Sequence, residues 1–271
     1  MDWPSTSQWI LKTLENKGGN DLIGPLKSIR ASAEPVLSRI CNTFGEYTVH
    51  DVRHCDTICE ILGWLIPSPV LGEMSKHEVF FIAAAAYLHD IGMADIPRLF
   101  DESKFSEWLA KQSQKRSVSD TRPDFIREFH DIRSECYVNE CFRELGIPNQ
   151  MEAFILGRIC RGHRNLEELK DYKTYPRKFV YHGSVNLCML AYFLQIADEM
   201  DVSFERAPLI IYENFKPKNP ISHLEWEKTL SMSGLHLDTS DGRTIIGSAL
   251  CHSEKVHRAL ALYESKVQRK L

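Results

Sequence analysis

Residues 82–96 read IAAAAYLHDIGMADI, and the fold turns on them. The run from Ile82 to Leu88 is apolar nearly all round a helix, and such a helix belongs at the centre of an assembly rather than on its surface. A His-Asp pair, His89 and Asp90, follows directly, and Gly92 ends the segment. Neither an imidazole nor a carboxylate is buried without cost unless it has a partner. That partner is another side chain, a water or a metal ion.

Working outward, residues 77–91 form the central helix. Upstream, residues 50–66 set Val52, Cys55, Ile58, Cys59, Leu62 and Leu65 on roughly one helix face, and Pro67 and Pro69 end it. Residues 1–45 carry shorter helical patterns, WILKTLE and PLKSIRASAEPVLSRICNTF, broken at Gly18-Gly19 and Pro25 and expected to pack on the main body. Residues 97–120 are polar and charged, an exposed insertion with some helix. Residues 121–145 read as one helix, opened by Thr121-x-x-Asp124 and carrying Phe125, Phe129, Ile132, Cys136 and Phe142 at helical spacing. Asn149 and Glu152 open the next helix in the manner of a capping box, and Ser184 opens another that runs apolar to ADEMD.

Beyond Pro208 the pattern changes. Two extended runs flank Ser240-Asp241-Gly242, which indicates a hairpin, and an amphipathic helix follows. Asp238–Gly242 is a turn and not a calcium loop. The expected architecture is therefore an all-α helical bundle with a small C-terminal α+β appendage. Its divisions are an N-terminal helical segment (1–45), a helical body (46–208) and a C-terminal extension (209–271).

Of the 271 residues 43% are hydrophobic and 26% charged, as in an ordinary globular protein. A net charge of −4 argues against a broad nucleic-acid-binding surface. The eight cysteines include no C-x-x-C pair, and several lie in apolar runs, so reduced buried thiols are expected. The N-terminus lacks a basic region followed by a long apolar one, and no apolar run reaches the roughly 18 residues of a membrane span. A cytoplasmic location and no membrane contact are the resulting expectations. No Gly-rich phosphate loop is present.

His-Asp occurs three times, at His50-Asp51, His89-Asp90 and His130-Asp131. His54 lies one turn after His50, His163 follows the apolar helix that ends in ICRGH, and Asp198 lies at the end of LQIAD. Metal-competent side chains thus recur at the ends of separate apolar helices, which a bundle can aim into one central site. Imidazole with carboxylate suits Zn, Mn, Fe, Co or Ni, and carboxylate with water also suits Mg. His54 is preferred to His50, and Asp198 to Asp201 because it lies within the helix. Glu199 reads as a solvated residue; His182 and His252 read as structural or exposed.

The order of residues resembles the HD-domain superfamily of metal-dependent phosphohydrolases: a His, a His-Asp pair and a distant Asp, each on its own helix. The matching residues are His54 in HCDTICEIL, His89-Asp90 in YLHDIG and Asp198 in LQIADEMD, with His89 thirty-five positions after His54. His130 in EFHDIRS and His163 in CRGHRN stand where some members carry two further histidines for a second metal. The segments YTVH-x3-H, LHDIGM, FH-x2-RS and ADEMD are most similar to the HD subgroup associated with Hsp90-like ATPase modules. The resemblance covers about residues 46–208.

It implies that His54, His89, Asp90 and Asp198 hold one divalent ion, and that Asp90 bridges to a second on His130 and His163. Asp90, His130 and His163 then carry catalysis, and Arg161, Arg164 and Arg206 are candidates for binding phosphate through their planar forks. The implied activity is hydrolysis of a phosphate ester of a nucleotide or similar small molecule by metal-activated water. Met93 departs from many members, which place Lys or His after HDIG, and this leaves the general acid unassigned. Two alternatives stand beside this reading: a nucleotide-sensing regulatory module with little turnover that docks on an Hsp90-like ATPase, and a metal-dependent single-strand nuclease. A homo-oligomer stays open.

Overall fold

The computed structural model describes residues 3–113, 122–202, 204–238 and 240–271. Its helices in chain order begin with α1 (Gln8–Asn16), α2 (Asn20–Leu37), α3 (Ile40–Thr43), α4 (Val52–Leu65), α5 (Ser68–Glu73) and α6 (Lys76–Leu88). They continue with α7 (Glu102–Ser113), α8 (Arg122–Glu128), α9 (His130–Glu140), α10 (Gln150–Gly162) and α11 (Leu187–Met200). The C-terminal extension holds α12 (Leu209–Asn214), α13 (Pro220–Ser231) and α14 (Glu254–Gln268). Strands β1 (Phe179–Val180) and β2 (Ser184–Val185) form one small antiparallel pair, and β3 (Met232–Leu237) and β4 (Ile245–Ala249) another. The molecule is a helical bundle with a small α+β appendage.

Helix α6 is the axis. Every residue from His77 to Leu88 is buried, and α1, α2, α4, α10 and α11 all pack around it. The four alanines 83–86 present only methyl groups, which lets neighbouring helices approach closely. Helices α1 and α2 bury Ile10, Leu14, Leu26 and Ile29. They also tie in through polar contacts: Arg30 grips Asp56 with two bonds of 3.0 and 2.7 Å, and the Tyr87 hydroxyl donates to the same carboxylate at 2.8 Å. No described helix is long and apolar enough to cross a membrane. All eight cysteines are free.

Three expectations need correction. The single helix read across 121–145 is two, broken at Phe129 (φ −114°, ψ 16°), so His130 opens a new helix. Apolar residues on the two sides of that break do not share a face: Cys136 is exposed, and α9 buries the polar set His130, Asp131, Arg133 and Ser134. Ser184 does not open α11. It lies in β2, and the Asn186 side chain caps the helix by accepting from the Met189 amide at 3.0 Å. The C-terminal extension is more than a hairpin and a helix, since α12 and α13 precede the hairpin and Asn219 caps α13. Thr121 and residues 114–120 of the expected insertion lie outside the described residues.

Candidate metal centre

One buried carboxylate sets the level of the site. Ser75 and Glu78 form a full capping box at the start of α6, and the other oxygen of Glu78 accepts from the Asn186 amide, the cap of α11, at 2.9 Å. The two helices therefore start together. Eleven residues separate Glu78 from His89 and twelve separate Asn186 from Asp198; at about 1.5 Å of rise per residue both ligands arrive at the same depth. Helices α9 and α10 are neighbours in chain and space. The first residue of α9, His130, meets the residue that caps α10, His163, with their Nε2 atoms 3.0 Å apart.

The six side chains meet as two clusters, His54–His89–Asp198 and Asp90–His130–His163, each with its ligand atoms within 4.8 Å of one another. Asp90 joins them. Its Oδ2 lies 3.4 Å from His89 Nε2 and 3.8 Å from His54 Nε2. Its Oδ1 lies 3.3 Å from His130 Nε2 and 3.8 Å from His163 Nε2. Asp198 Oδ1 is 3.3 Å from His54 Nε2 and 3.6 Å from His89 Nε2. Asp198 is the most open of the six, its side chain 29% exposed, and it faces a cavity of about 470 Å³.

The outer nitrogens decide the tautomers. Nδ1 of His89 contacts the Ala86 carbonyl at 3.0 Å, that of His130 the Arg127 carbonyl at 2.7 Å, and that of His163 the Cys160 carbonyl. Nδ1 of His54 contacts Asp201 Oδ2 at 2.6 Å. Carbonyls and carboxylates only accept, so each Nδ1 carries the hydrogen and each neutral ring turns a bare Nε2 lone pair inward. Among the described residues, His54 Nε2 and His89 Nε2 are buried without a hydrogen-bond partner. Four inward Nε2 atoms around two carboxylates fit a divalent cation in each cluster, which would take the place of the proton that Asp90 and Asp198 favour on His89 in the metal-free protein.

The electrostatics agree. Burial opposes ionisation of Asp90, but His89 and His130 outweigh it and hold the carboxyl well below its usual range. Asp198 is lowered likewise: burial opposes its ionisation, and the facing imidazoles of His54 and His89 outweigh it. Burial pulls His130 and His163 down to about 4, and burial with Arg206 pulls His50 to about 3. Burial also opposes the charge on His89, but Asp90 and Asp198 outweigh it and raise that group to about 10.

These shifts give the metal-free protein a stability optimum. Below the ordinary value of 6.5 the unfolded chain takes up protons that folded His50, His130 and His163 refuse, so stability falls as pH drops from 6.5 toward 4. Above 6.5 the folded protein keeps a His89 proton that the unfolded chain loses, so stability falls again as pH rises toward 10. The urea midpoint of chelator-treated protein should therefore peak near pH 6.5. A midpoint climbing steadily from pH 5 to 9 would contradict this assignment.

Around the ligands, Asp201 does not compete with Asp198 but holds His54 from behind. Removing it in Asp201→Ala should weaken metal binding at the His54–His89–Asp198 cluster by about 10–100-fold and spare the Asp90–His130–His163 cluster, read by calorimetric titration. His50 lies further out, accepting from Arg206 Nη2 at 2.7 Å. Arg206 also donates to the Asp201 carbonyl at 2.9 Å, so it braces this outer layer while lining the cavity. Arg164 lines the cavity too and donates to the carbonyls of Arg127 and Glu128. Arg161 is not among the cavity residues: its guanidinium is ion-paired with Glu135 and Glu168, each at 3.3 and 3.2 Å respectively, and the phosphate-binding expectation moves off it.

Other residues escaped the sequence reading. Ser134 Oγ donates to the His89 carbonyl at 2.5 Å and accepts from the Gly92 amide at 2.9 Å. Arg133 donates to the carbonyls of Gly92 and Ala94 at 2.8 and 3.1 Å. The Arg-Ser of FH-x2-RS thus clasps the turn that carries the ligand pair. Glu199 is not a solvated residue, because Lys266 and Lys270 both close on it. Arg127, Lys228, Lys266 and Lys270 line the cavity, and Met93 lines it without a titratable group. For Lys266 and Lys270 the available signal was their four-residue spacing at the close of an amphipathic pattern.

A family model described as HD-CE matches residues 44–271. That span runs through the C-terminal extension, which the motif resemblance did not reach. No curated protein matches the chain, and no solved structure does.

Proposed function

The chain belongs to the HD-CE family, and from that premise we propose that it is a metal-dependent phosphohydrolase acting on a phosphate ester of a nucleotide or similar small molecule. The observation that carries this reading is the division of Asp90. Its two oxygens serve two buried histidine sets at the base of a cavity walled partly by cations.

His54, His89, Asp90 and Asp198 would hold one divalent ion, and Asp90, His130 and His163 a second. Such ions lower the pKa of water toward neutrality and offset charge that develops on phosphoryl oxygens. Asp90 fixes the spacing of the two sets. Asp201 and the carbonyls of Ala86, Arg127 and Cys160 keep every imidazole in the tautomer that leaves Nε2 free. Arg164 and Arg127 orient the phosphoryl oxygens from the cavity wall. The openness of Asp198 leaves room for the ester beside the ligands.

The test is phosphate or nucleoside release from a panel of nucleotides, cyclic dinucleotides and single-stranded DNA, each with Mn, Mg, Co or Ni. Turnover that vanishes in His89→Ala supports the proposal, and no turnover in any combination sinks it. A second reading has an observation of its own. Phe204, Leu209, Ile210, Phe215 and Ile221 are exposed together on and around α12. This favours a nucleotide-sensing module that docks on a partner such as an Hsp90-like ATPase, and tight nucleotide binding without product would select it.

A further inference from the structure

The C-terminal extension does not merely follow the bundle; it closes one side of the cavity. Helix α13 is pinned to the loop beside the site, with Trp226 Nε1 donating to the Glu46 carbonyl and the Asn219 amide to Glu46 Oε2, both at 2.9 Å. Helix α14 and the residues just after it are pinned along α11. The Tyr263 hydroxyl donates to the Glu199 carbonyl at 2.9 Å, and the Tyr192 hydroxyl donates to the Lys270 carbonyl. This brings three ammonium groups to the cavity, on the side next to Asp198. Lys266 and Lys270 lie 2.7 and 2.9 Å from a single oxygen of Glu199, the residue after Asp198. Lys228 pairs with Glu225 and lies 5.4 Å from the centre of the Tyr263 ring.

Two of these lysines are largely covered, Lys228 at 13% and Lys270 at 16% side-chain exposure. Covering an ammonium costs solvation, which a surface ion pair hardly offsets. Two carboxylates serve three lysines. Among the described residues the cavity carries six cationic and six carboxylate side chains, so two divalent ions would leave it about four charges positive. A phosphomonoester brings about two negative charges, and each further phosphoryl group adds roughly one more.

We propose that Lys228, Lys266 and Lys270 form a subsite for a second phosphoryl group, so that the substrate carries a chain of at least two phosphates. The first phosphoryl group sits over the Asp90 clusters, and the next reaches the lysine wall on the Asp198 side. The inference rests on the cavity being a phosphate-ester site and names which esters it takes.

Titration of the full chain, at saturating Mn, with orthophosphate and with imidodiphosphate tests it. Imidodiphosphate should bind at least about tenfold more tightly than orthophosphate. In a Lys228→Met/Lys266→Met/Lys270→Met protein with unchanged far-ultraviolet dichroism that ratio should shrink to within about threefold, whereas Lys266→Arg/Lys270→Arg should keep it. Should the triple variant not fold, Lys266→Met at the half-exposed position should still cut the ratio by about threefold. A wild-type ratio near one, or a ratio untouched by the lysine changes, overturns the proposal. Neither probe contains the phosphate-ester bond on which the proposed function acts. A protein that shows the preference but hydrolyses no ester loses the proposed function and keeps the subsite, and one that hydrolyses esters without the preference does the reverse.

Discussion

An Asp90→Ala protein is expected to lose both metal equivalents together and, with them, phosphate-ester turnover by on the order of 10³-fold or more. The size of the effect follows from the double use of one side chain. Oδ2 belongs to the His54–His89 set and Oδ1 to the His130–His163 set. Truncation removes an anionic ligand from each and leaves four imidazoles facing one another with a single carboxylate, Asp198, on one side. Asp198→Ala should behave differently, costing mainly the equivalent held by His54 and His89. Asp90→Asn keeps one acceptor oxygen and should fall between the two. Metal analysis of protein purified without chelator, followed by titration, reads all three. Two equivalents retained by Asp90→Ala would end the bridging assignment.

Gly92→Ala should destabilise the fold by about 3 kcal/mol or more, a fall of roughly 6–10 °C in Tm for a chain of this size. The position is held by space and not by an unusual backbone angle. A Cβ there would lie 2.2 Å from the His130 carbonyl oxygen, 2.4 Å from the Ser134 amide nitrogen and 2.8 Å from Ser134 Oγ. Two of those atoms are backbone of α9 and cannot rotate away. Relief requires α9 to move, and its first residue is His130, so the Asp90–His130–His163 set should bind metal more weakly as well. Gly24→Ala supplies the contrast: in α2, with nothing among the described residues within 4 Å of its Cβ, it should leave stability unchanged or raise it by about 0.5–1 kcal/mol. Urea unfolding of both variants checks the pair. Wild-type stability in Gly92→Ala would contradict the packing described for the turn.

Sequence periodicity reached the bundle, the central place of α6 and the hairpin of the extension, because each depends on residues a few positions apart. An apolar run with no polar face can only be interior, and the end of a helix is announced by Gly or Pro nearby. The same local logic set His54, His89, Asp90, His163 and Asp198 at or near helix ends. It failed at Phe129, where the periodic residues continue across a break. The reason is that α9 turns a polar face inward to clasp the Gly92 turn, a contact with residues about forty positions earlier.

Only the tertiary structure decided what those residues do to one another. That Glu78 aligns the starts of α6 and α11, that Asp90 gives one oxygen to each histidine set, and that Asp201 stands behind His54 are relations between segments up to 147 residues apart. The arginines show the same limit. Arg161, Arg164 and Arg206 look alike in sequence, yet the first pairs with Glu135 and Glu168 away from the cavity that the other two line. Periodicity records which way a side chain leaves its own helix. The partner it meets is set by the packing of whole helices, and that packing minimises buried polar cost across the assembled core rather than along any single stretch of chain.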